Sequence, residues 1–583
     1  MERRVLLAVF LSFLVLYTYQ TFLVPPSPPP KSTPAADQPA PQTAAQQNPA
    51  AAPTPGQQAT NVARAEPAPT ALTAESSERE ILVETATVSA SLSNRGARIM
   101  HWRLKEYRSS NGQPLDLVPG ALPGDQPTPF ALRVEDEEIS RRLNTALYRV
   151  SGDSNGRVDA TGSAASLAFD YEEAGGLRVH KEFRFEPRNY VITFSAEVSA
   201  SGKSFNPDVQ WGPGLGDIGA AAGGGSFFTG NYVQPPELIV HTDGKVQRIA
   251  ATGLGNQPIR EGQYRFAGVD DHYFIAAAIN PGVARLEARA VTVPGPGGTQ
   301  RQFVAQSFRF PRATRTARFF FGPKQFDLLR SVDAELVRAV NFGIFGFLAV
   351  PLLGALKWVY GFVGNYGWSI ILLTILINLA IFPLRQKSVV SMRKMQALQP
   401  QLKAIQDRYA SLKVTDPGRK NMNTEVMNLY REKGVNPASG CVPMLLTMPV
   451  LFAFYSLLSQ SIELRGAAFA WWLKDLSVPD PYYVTPVLMG ATMFWQQKLT
   501  PSTADPAQQR IMMMMPLMFS FMFLRAPSGL VIYWFVSNLW AIGQQYFTNW
   551  LIGPPVMASA RPPAERRLKN VGTGRTTGAE KRS

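Results

Sequence analysis

Trp368-Ser-Ile-Ile-Leu-Leu-Thr-Ile-Leu-Ile-Asn-Leu-Ala-Ile-Phe-Pro-Leu384 decides the fold. The stretch holds no Asp, Glu, Lys or Arg, and Arg385 and Lys387 close it. An apolar run of this length with basic residues at one end predicts a helix that crosses a bilayer. Downstream, the cores 442–461, 484–495, 511–524 and 530–550 are equally free of charge. Two of them, 484–495 and 511–524, fall below the roughly 17 to 25 residues that usually cross. They read either as a re-entrant pair or as two short spans that thin the bilayer locally. Upstream, 342–363 passes on hydropathy but carries Pro351, Lys357, Trp358 and Tyr360, which suit a helix lying in the interface.

Charge orients these segments. Between 385 and 440 stand Arg385, Lys387, Arg393, Lys394, Lys403, Arg408, Lys413, Arg419, Lys420, Arg431 and Lys433, against only Asp407, Asp416, Glu425 and Glu432. The tail, 553–583, is basic too. Loops rich in Lys and Arg stay cytoplasmic. At the other end, Arg3 and Arg4 precede an apolar run, 5–24. Pro25-Pro26-Ser27-Pro28-Pro29-Pro30 follows it in place of a small-residue cleavage site, so 1–24 reads as an uncleaved anchor. With 342–363 laid along the outer interface, six spans result and both termini are cytoplasmic. Counting 342–363 as a span would place both basic segments outside.

Between anchor and membrane block the composition changes twice. Residues 25–78 are rich in Pro, Ala, Gln and Thr and predict a disordered tether. Residues 79–325 show short alternating runs between turn residues, such as Arg178-Val-His-Lys-Glu-Phe-Arg-Phe185 and Tyr190-Val-Ile-Thr-Phe-Ser-Ala-Glu-Val198. Period-two alternation predicts a large antiparallel β sandwich outside the membrane. Residues 326–364 form the linker and interfacial helix, and 365–552 the helical core.

Several chemistries are excluded or unsupported. Cys441 is the only cysteine, so neither an intramolecular disulfide nor a cysteine-rich metal site is possible. His101, His180, His241 and His272 all precede the membrane block, which therefore lacks a histidine ligand or base. No Walker loop, HExxH or serine-elbow motif occurs. Asp270, Asp271 and His272 are adjacent but nonspecific; an envelope enzyme acting through the β domain would need converging acids there. The net charge of +15 suits an anionic partner.

Within the membrane block, three features bear on function. Segment 386–433 reads as a cytoplasmic helical hairpin, with Met392, Met395, Leu398, Leu402 and Ile405 on one apolar stripe and Met422, Val426, Leu429 and Tyr430 on the other. It is either a solvated amphipathic hairpin or a landing platform for a substrate, a ribosome or anionic headgroups. Thr374 and Asn378 share a helix face, as do Ser456 and Gln460, and Ser537 and Asn538 lie on the last span. Such groups either bond between helices or line a hydrophilic cavity. Finally, fifteen of the 17 methionines follow residue 390, including Met512-Met513-Met514-Met515, Met518 and Met522. Methionine adapts to varied apolar partners, although lipid-facing filler is the simpler explanation for most of them.

Five motifs in order then carry a resemblance. They are Gly364-Asn-Tyr-Gly-Trp-Ser-Ile-Ile371, Met395-Gln-Ala-Leu-Gln-Pro400, Val435-Asn-Pro-Ala-Ser-Gly-Cys-Val-Pro443, Asp480-Pro-Tyr-Tyr483, and Pro527-Ser-Gly-Leu-Val-Ile-Tyr-Trp534 with Val536-Ser-Asn538. Residues 340–550 thereby resemble the YidC/Oxa insertases, and the anchor, tether and β domain resemble the long form of Gram-negative bacteria. The resemblance implies a multi-pass α-helical protein of the inner membrane, with six transmembrane helices, five of them forming the insertase core. It also implies a large periplasmic all-β supersandwich. The implied activity is insertion and chaperoning of membrane proteins, alone or with the Sec translocon, without catalysis, cofactor or metal. Implied partners are nascent membrane proteins, the translating ribosome, the Sec translocon and membrane lipids, with no specific nucleic-acid sequence. A channel or secondary transporter is the alternative, although no span core holds an ionisable residue.

Carried over by position, Thr374, Asn378, Tyr533 and Trp534 line a hydrophilic groove open to cytoplasm and lipid. Met448, Leu451, Met518, Phe519 and Met522 form a hydrophobic slide. Arg393, Lys394, Lys403, Arg408, Arg419 and Lys420 make the basic hairpin surface. The family usually places a positive residue where this chain has Asn378. Either Arg385 reaches inward to replace it or polarity alone serves. Arg525, beside Pro527-Ser528-Gly529, is expected to snorkel to the outer headgroups.

Overall fold

The computed structural model describes residues 71–109, 112–118, 128–213, 215, 234–255, 258–294, 300–311, 316–409, 418–435, 442–500 and 506–553. The anchor, nearly all of the tether, the hairpin turn and nearly all of the basic tail lie outside the described residues.

The outer domain is mostly β-sheet. A 14-stranded sheet and a 5-stranded sheet enclose one core. Alternation works as expected: along Leu177–Phe185 every second residue, from Leu177 to Phe185, is buried. That strand pairs antiparallel with Ala165–Glu173 on one side and Val191–Ala200 on the other. Aromatic rings fill the space between sheets. Phe130 meets Phe183, Phe194, Phe319 and Phe321 at centroid distances of 4.8 to 5.6 Å. Two buried side chains, Trp102 and Lys181, tie the layers together through hydrogen bonds. Trp102 Nε1 donates to the Phe321 carbonyl at 2.8 Å. Lys181, fully buried, donates through Nζ to the carbonyls of Gly96, Phe130 and Ala97 at 2.6, 3.1 and 3.2 Å. Burial pushes this ammonium down to about 7, and three carbonyl acceptors replace the water it has lost. One helix, α1 (Glu137–Thr145), lies on the domain and is capped by Asp136.

The domain is longer than 79–325 at both ends. Ala71–Thr73 pairs with Ala165–Glu173, and the Glu75 carboxylate bonds Arg79, Asn94 and the Val150 amide. This edge strand is largely exposed, so it needs none of the large apolar residues whose absence predicted a tether up to 78. Beyond 325, α2 (Phe326–Val332) and a 3₁₀ turn, Leu336–Ala339, bury Leu329, Leu336 and Ala339 in the β core. Phe342 is the first buried member of the helical core, with Phe326 and Val340 packed partly buried against it.

The helical block begins with α3 (Gly346–Val363), followed by α4 (Tyr366–Ala397). The hairpin helices are α5 (Gln399–Arg408) and α6 (Gly418–Glu432). Then come α7 (Val442–Gln460), α8 (Val484–Leu499), α9 (Pro506–Phe523) and α10 (Ser528–Ile552). Among the described residues, Gly343–Val363 and Tyr366–Ala397 are long and apolar enough to cross a membrane by length and composition. α3 buries Ala349, Leu353, Leu356 and Val359 on one face and exposes Phe347, Trp358 and Phe362. Its Lys357 bridges Asp327 and Glu463 at 2.8 and 2.7 Å. Hairpin and span are not separate: α4 runs through 386 without a break, because no Gly or turn residue interrupts it and Pro383 is accommodated inside the helix.

The two parts of the molecule are locked together by the last turn of α7 and the segment after it. Ile462 is buried in the β core. His272 Nε2 contacts the Ser459 carbonyl at 2.7 Å. The Arg465 guanidinium lies 5.0 and 5.4 Å from the Phe274 and Tyr273 ring centres and donates to the Arg108 carbonyl at 3.3 Å.

Candidate functional site

The helices are fixed first at their outer end. Asn365 caps α4 by accepting from the Trp368 amide, and its own amide donates to the carbonyls of Ala468 and Phe469. Gly367 is required there, since a Cβ would stand 2.1 Å from the Phe469 ring. Asp480 is buried and accepts from Trp472 Nε1, the Tyr482 amide, and the amide and hydroxyl of Thr485 at 2.8 to 3.1 Å. The carbonyls of Val478 and Leu476 receive the amides of Ser528 and Gly529, which open α10. Loop 465–483 therefore closes over the N-terminal ends of α4, α8 and α10.

Deeper in, a run of polar groups descends α4. Thr374 is fully buried and its hydroxyl donates to the Ile370 carbonyl at 2.6 Å. The Asn378 amide donates to the Thr374 carbonyl at 2.8 Å. Arg385, two turns on, reaches back and donates through Nη1 to Asn378 Oδ1 at 3.4 Å. Among the described residues, no carboxylate pairs with Arg385. Tyr533 of α10 is close enough to interact with its charge and stacks on Phe454 at 4.4 Å. Asn378 and Arg385 thus meet on α4, with the Tyr533 phenol near enough to sense the charge, while Thr374 is turned into its own helix.

Trp534 lies elsewhere. Successive helical residues point about 100° apart, and Trp534 packs against Phe523 and Phe519 of α9 at 4.8 and 6.0 Å. It joins the slide residues rather than Tyr533. Of those residues, Met448 on α7 and Met518 on α9 are exposed, while Leu451, Phe519 and Met522 are partly buried against the core. Exposed Met514, Met515, Leu517 and Phe521 extend the apolar surface of α9. α7 packs on α3 and α10, and α9 packs on α8.

Two other polar groups serve helix packing. Ser456 Oγ donates to the Phe342 carbonyl at 2.8 Å. Asn538 Nδ2 stands 3.4 Å from the Met489 carbonyl and from Thr492 Oγ1. An apolar groove of about 700 Å³ between α4 and α10, lined by Ile371, Ile375, Leu379, Phe535, Leu539 and Phe547, had no separate signal in the sequence.

In the hairpin, Leu398 and Leu402 pack with Met395 against Val426, Leu429, Tyr430 and Val435. Lys394, Lys403 and Lys420 are exposed, and Arg408 pairs with Glu425. Arg393 is not part of this free surface. Its guanidinium donates to the carbonyls of Gly553 and Thr548 at 2.5 and 3.5 Å and to the Asn549 side chain. The side chain of Arg419 lies outside the described residues.

Comparison with known proteins agrees over nearly the full length. The profile of the YidC periplasmic domain matches residues 80–355, and that of the 60Kd inner membrane protein matches 358–553. The membrane protein insertase YidC of Geobacter metallireducens is 34% identical over 569 residues, covering 94% of this chain and 98% of its own. That of Oleidesulfovibrio alaskensis is 37% identical over 485 residues, covering 80% and 86%. A solved structure of an active YidC insertase aligns with 20% identity over 81% of this chain and 93% of its own, at a TM-score of 0.33. The chain belongs to the YidC family of membrane protein insertases.

Proposed function

We propose that the chain inserts membrane proteins by giving their polar segments a protein-lined path partway into the bilayer. The observation that carries this reading is the line from Arg385 through Asn378 to the Thr374 carbonyl, inside a bundle whose core is mostly apolar. A polar segment entering hydrocarbon loses several kcal/mol per unsatisfied group. Amide, guanidinium and phenol groups offer replacement partners, and Arg385 attracts an acidic stretch. The closed outer loop keeps the site one-sided. The apolar segment leaves past Met448 and Leu451 on one side and Met518, Phe519, Met522 and Trp534 on the other. Thr374 shapes this site as part of its backing, and Asn378, Arg385 and Tyr533 meet the client.

In this reading the protein sits in the bacterial inner membrane with six spans, the first being 1–24 and the others α4, α7, α8, α9 and α10. α3 lies in the outer interface, the β domain is periplasmic, and both termini are cytoplasmic. α8 and α9, about 24 and 27 Å long at 1.5 Å per residue, are two short spans. Their continuous helices favour that over a re-entrant pair. Exposed Lys394, Lys403 and Lys420 meet the ribosome or anionic headgroups, and the Sec translocon is a further partner. Photo-crosslinking from position 378 to a stalled nascent chain tests the site. Adducts with the client's polar segment are expected; adducts with lipid alone would defeat the reading.

A further inference from the structure

Arg393 carries a role that the basic-surface reading does not assign. The last carbonyls of a helix have no partner within it, and its C-terminus attracts cations. The guanidinium of Arg393 meets this end of α10, bonding the Gly553 carbonyl and the Asn549 side chain, with the Thr548 carbonyl at the 3.5 Å limit. Gly553, at φ +81°, ends the helix. Two turns earlier on α4, Gln386 Oε1 accepts from Thr548 Oγ1 at 2.9 Å and Gln544 Nε2 at 3.3 Å. Thr548 is fully buried and Gln544 nearly so. The cytoplasmic extension of α4 is therefore fastened to α10 along two turns, and α5 and α6 hang from that extension.

We propose that Arg393 is a positioning residue: it latches the root of the hairpin to the end of α10, and so holds the basic hairpin over the cytoplasmic mouth of the site containing Asn378 and Tyr533. The inference rests on the insertase reading. It concerns delivery of the client and not the path itself. A client arriving on a ribosome needs the hairpin at a fixed distance from the mouth. A short client already free in solution does not.

The test uses the full chain in nanodiscs and proteoliposomes, with Cys441→Ser as background. Spin labels at 403 and 551 report the distance from hairpin to α10. A narrow distribution is expected in the parent and a broad one in Arg393→Ala, with Arg393→Lys in between because it keeps charge but fewer donors. Loss of charge-assisted bonds predicts a roughly tenfold drop in insertion of a ribosome-bound nascent chain. Insertion of a short free client changes by less than about twofold, since the site is untouched. Unbroadened distances in Arg393→Ala overturn the latch. Broadened distances with both insertion rates unchanged, or both lowered equally, overturn its positioning role and leave the insertase reading standing. Failure of the parent to insert either client would instead remove the insertase reading, and the proposal with it.

Discussion

Arg385 spans two helical turns to reach Asn378, and that reach sets what each residue contributes. Asn378 supplies an acceptor for the guanidinium and a donor for the Thr374 carbonyl. Asn378→Leu removes both and leaves Arg385 without this acceptor, so insertion of a small phage coat-type client should fall. Asn378→Arg should retain more activity, since it keeps polarity and adds charge. Equal rates in parent and both variants would remove Asn378 from the mechanism. Arg385→Gln should slow clients with an acidic leading segment more than neutral ones, measured as the ratio of their insertion rates. In the β domain, Lys181→Met leaves three carbonyls without their donor. At about 1 to 3 kcal/mol for each buried unsatisfied group, a clear fall in the domain's melting temperature is expected by calorimetry.

The pairing of particular side chains was only partly legible at this scale. Asn378 and Arg385 stand seven residues apart on one helix, and the spacing put them on the same side. Tyr533 and Trp534 are consecutive, and their shared motif concealed that they face different helices. Arg393 was counted with the surface charges because nothing local marks a cation that caps another helix 155 residues later.

Elements were read more reliably than their ends. The apolar and alternating runs announced helices and strands, because burial of one face forces those periods. Boundaries shifted where exposure or continuity removed the signal, as at the edge strand Ala71–Thr73 and at the uninterrupted α4. Close approach between elements was invisible. Gly367 admits the Phe469 ring, and Gly490 would place a Cβ 1.9 Å from Ser520 Oγ. Gly367→Ala should cost about 1 to 3 kcal/mol through overpacking and loosen the outer loop. Faster hydrogen exchange in 465–483 would show it, and unchanged exchange would mean that the ring moves aside freely.

Across the whole molecule, the contact between domains is expected to weaken in acid. Burial, with the neighbouring Lys324 ammonium adding to it, pushes His272 down to about 4 from an ordinary 6.5. Arg465 and Asp270 also act on His272, the cation lowering and the carboxylate raising its proton affinity. Because the folded form holds its proton less tightly than the unfolded form, the contribution of His272 is complete above pH 6.5. It declines as pH falls toward 4. Thermal unfolding followed between pH 7 and 4 should show this slope, and His272→Gln should flatten it. An identical slope in the variant would assign the effect to other groups.

Ile462 gives the architecture a temporal consequence. The β domain's last strand ends at Pro323, yet one of its core side chains comes from the short 3₁₀ turn just after α7. During synthesis the β sandwich therefore lacks this side chain until residue 462 has been made, long after its last strand. Completion of the sandwich is thereby tied to folding of the helical block, and a chain stalled before residue 462 leaves that place in the core uncovered.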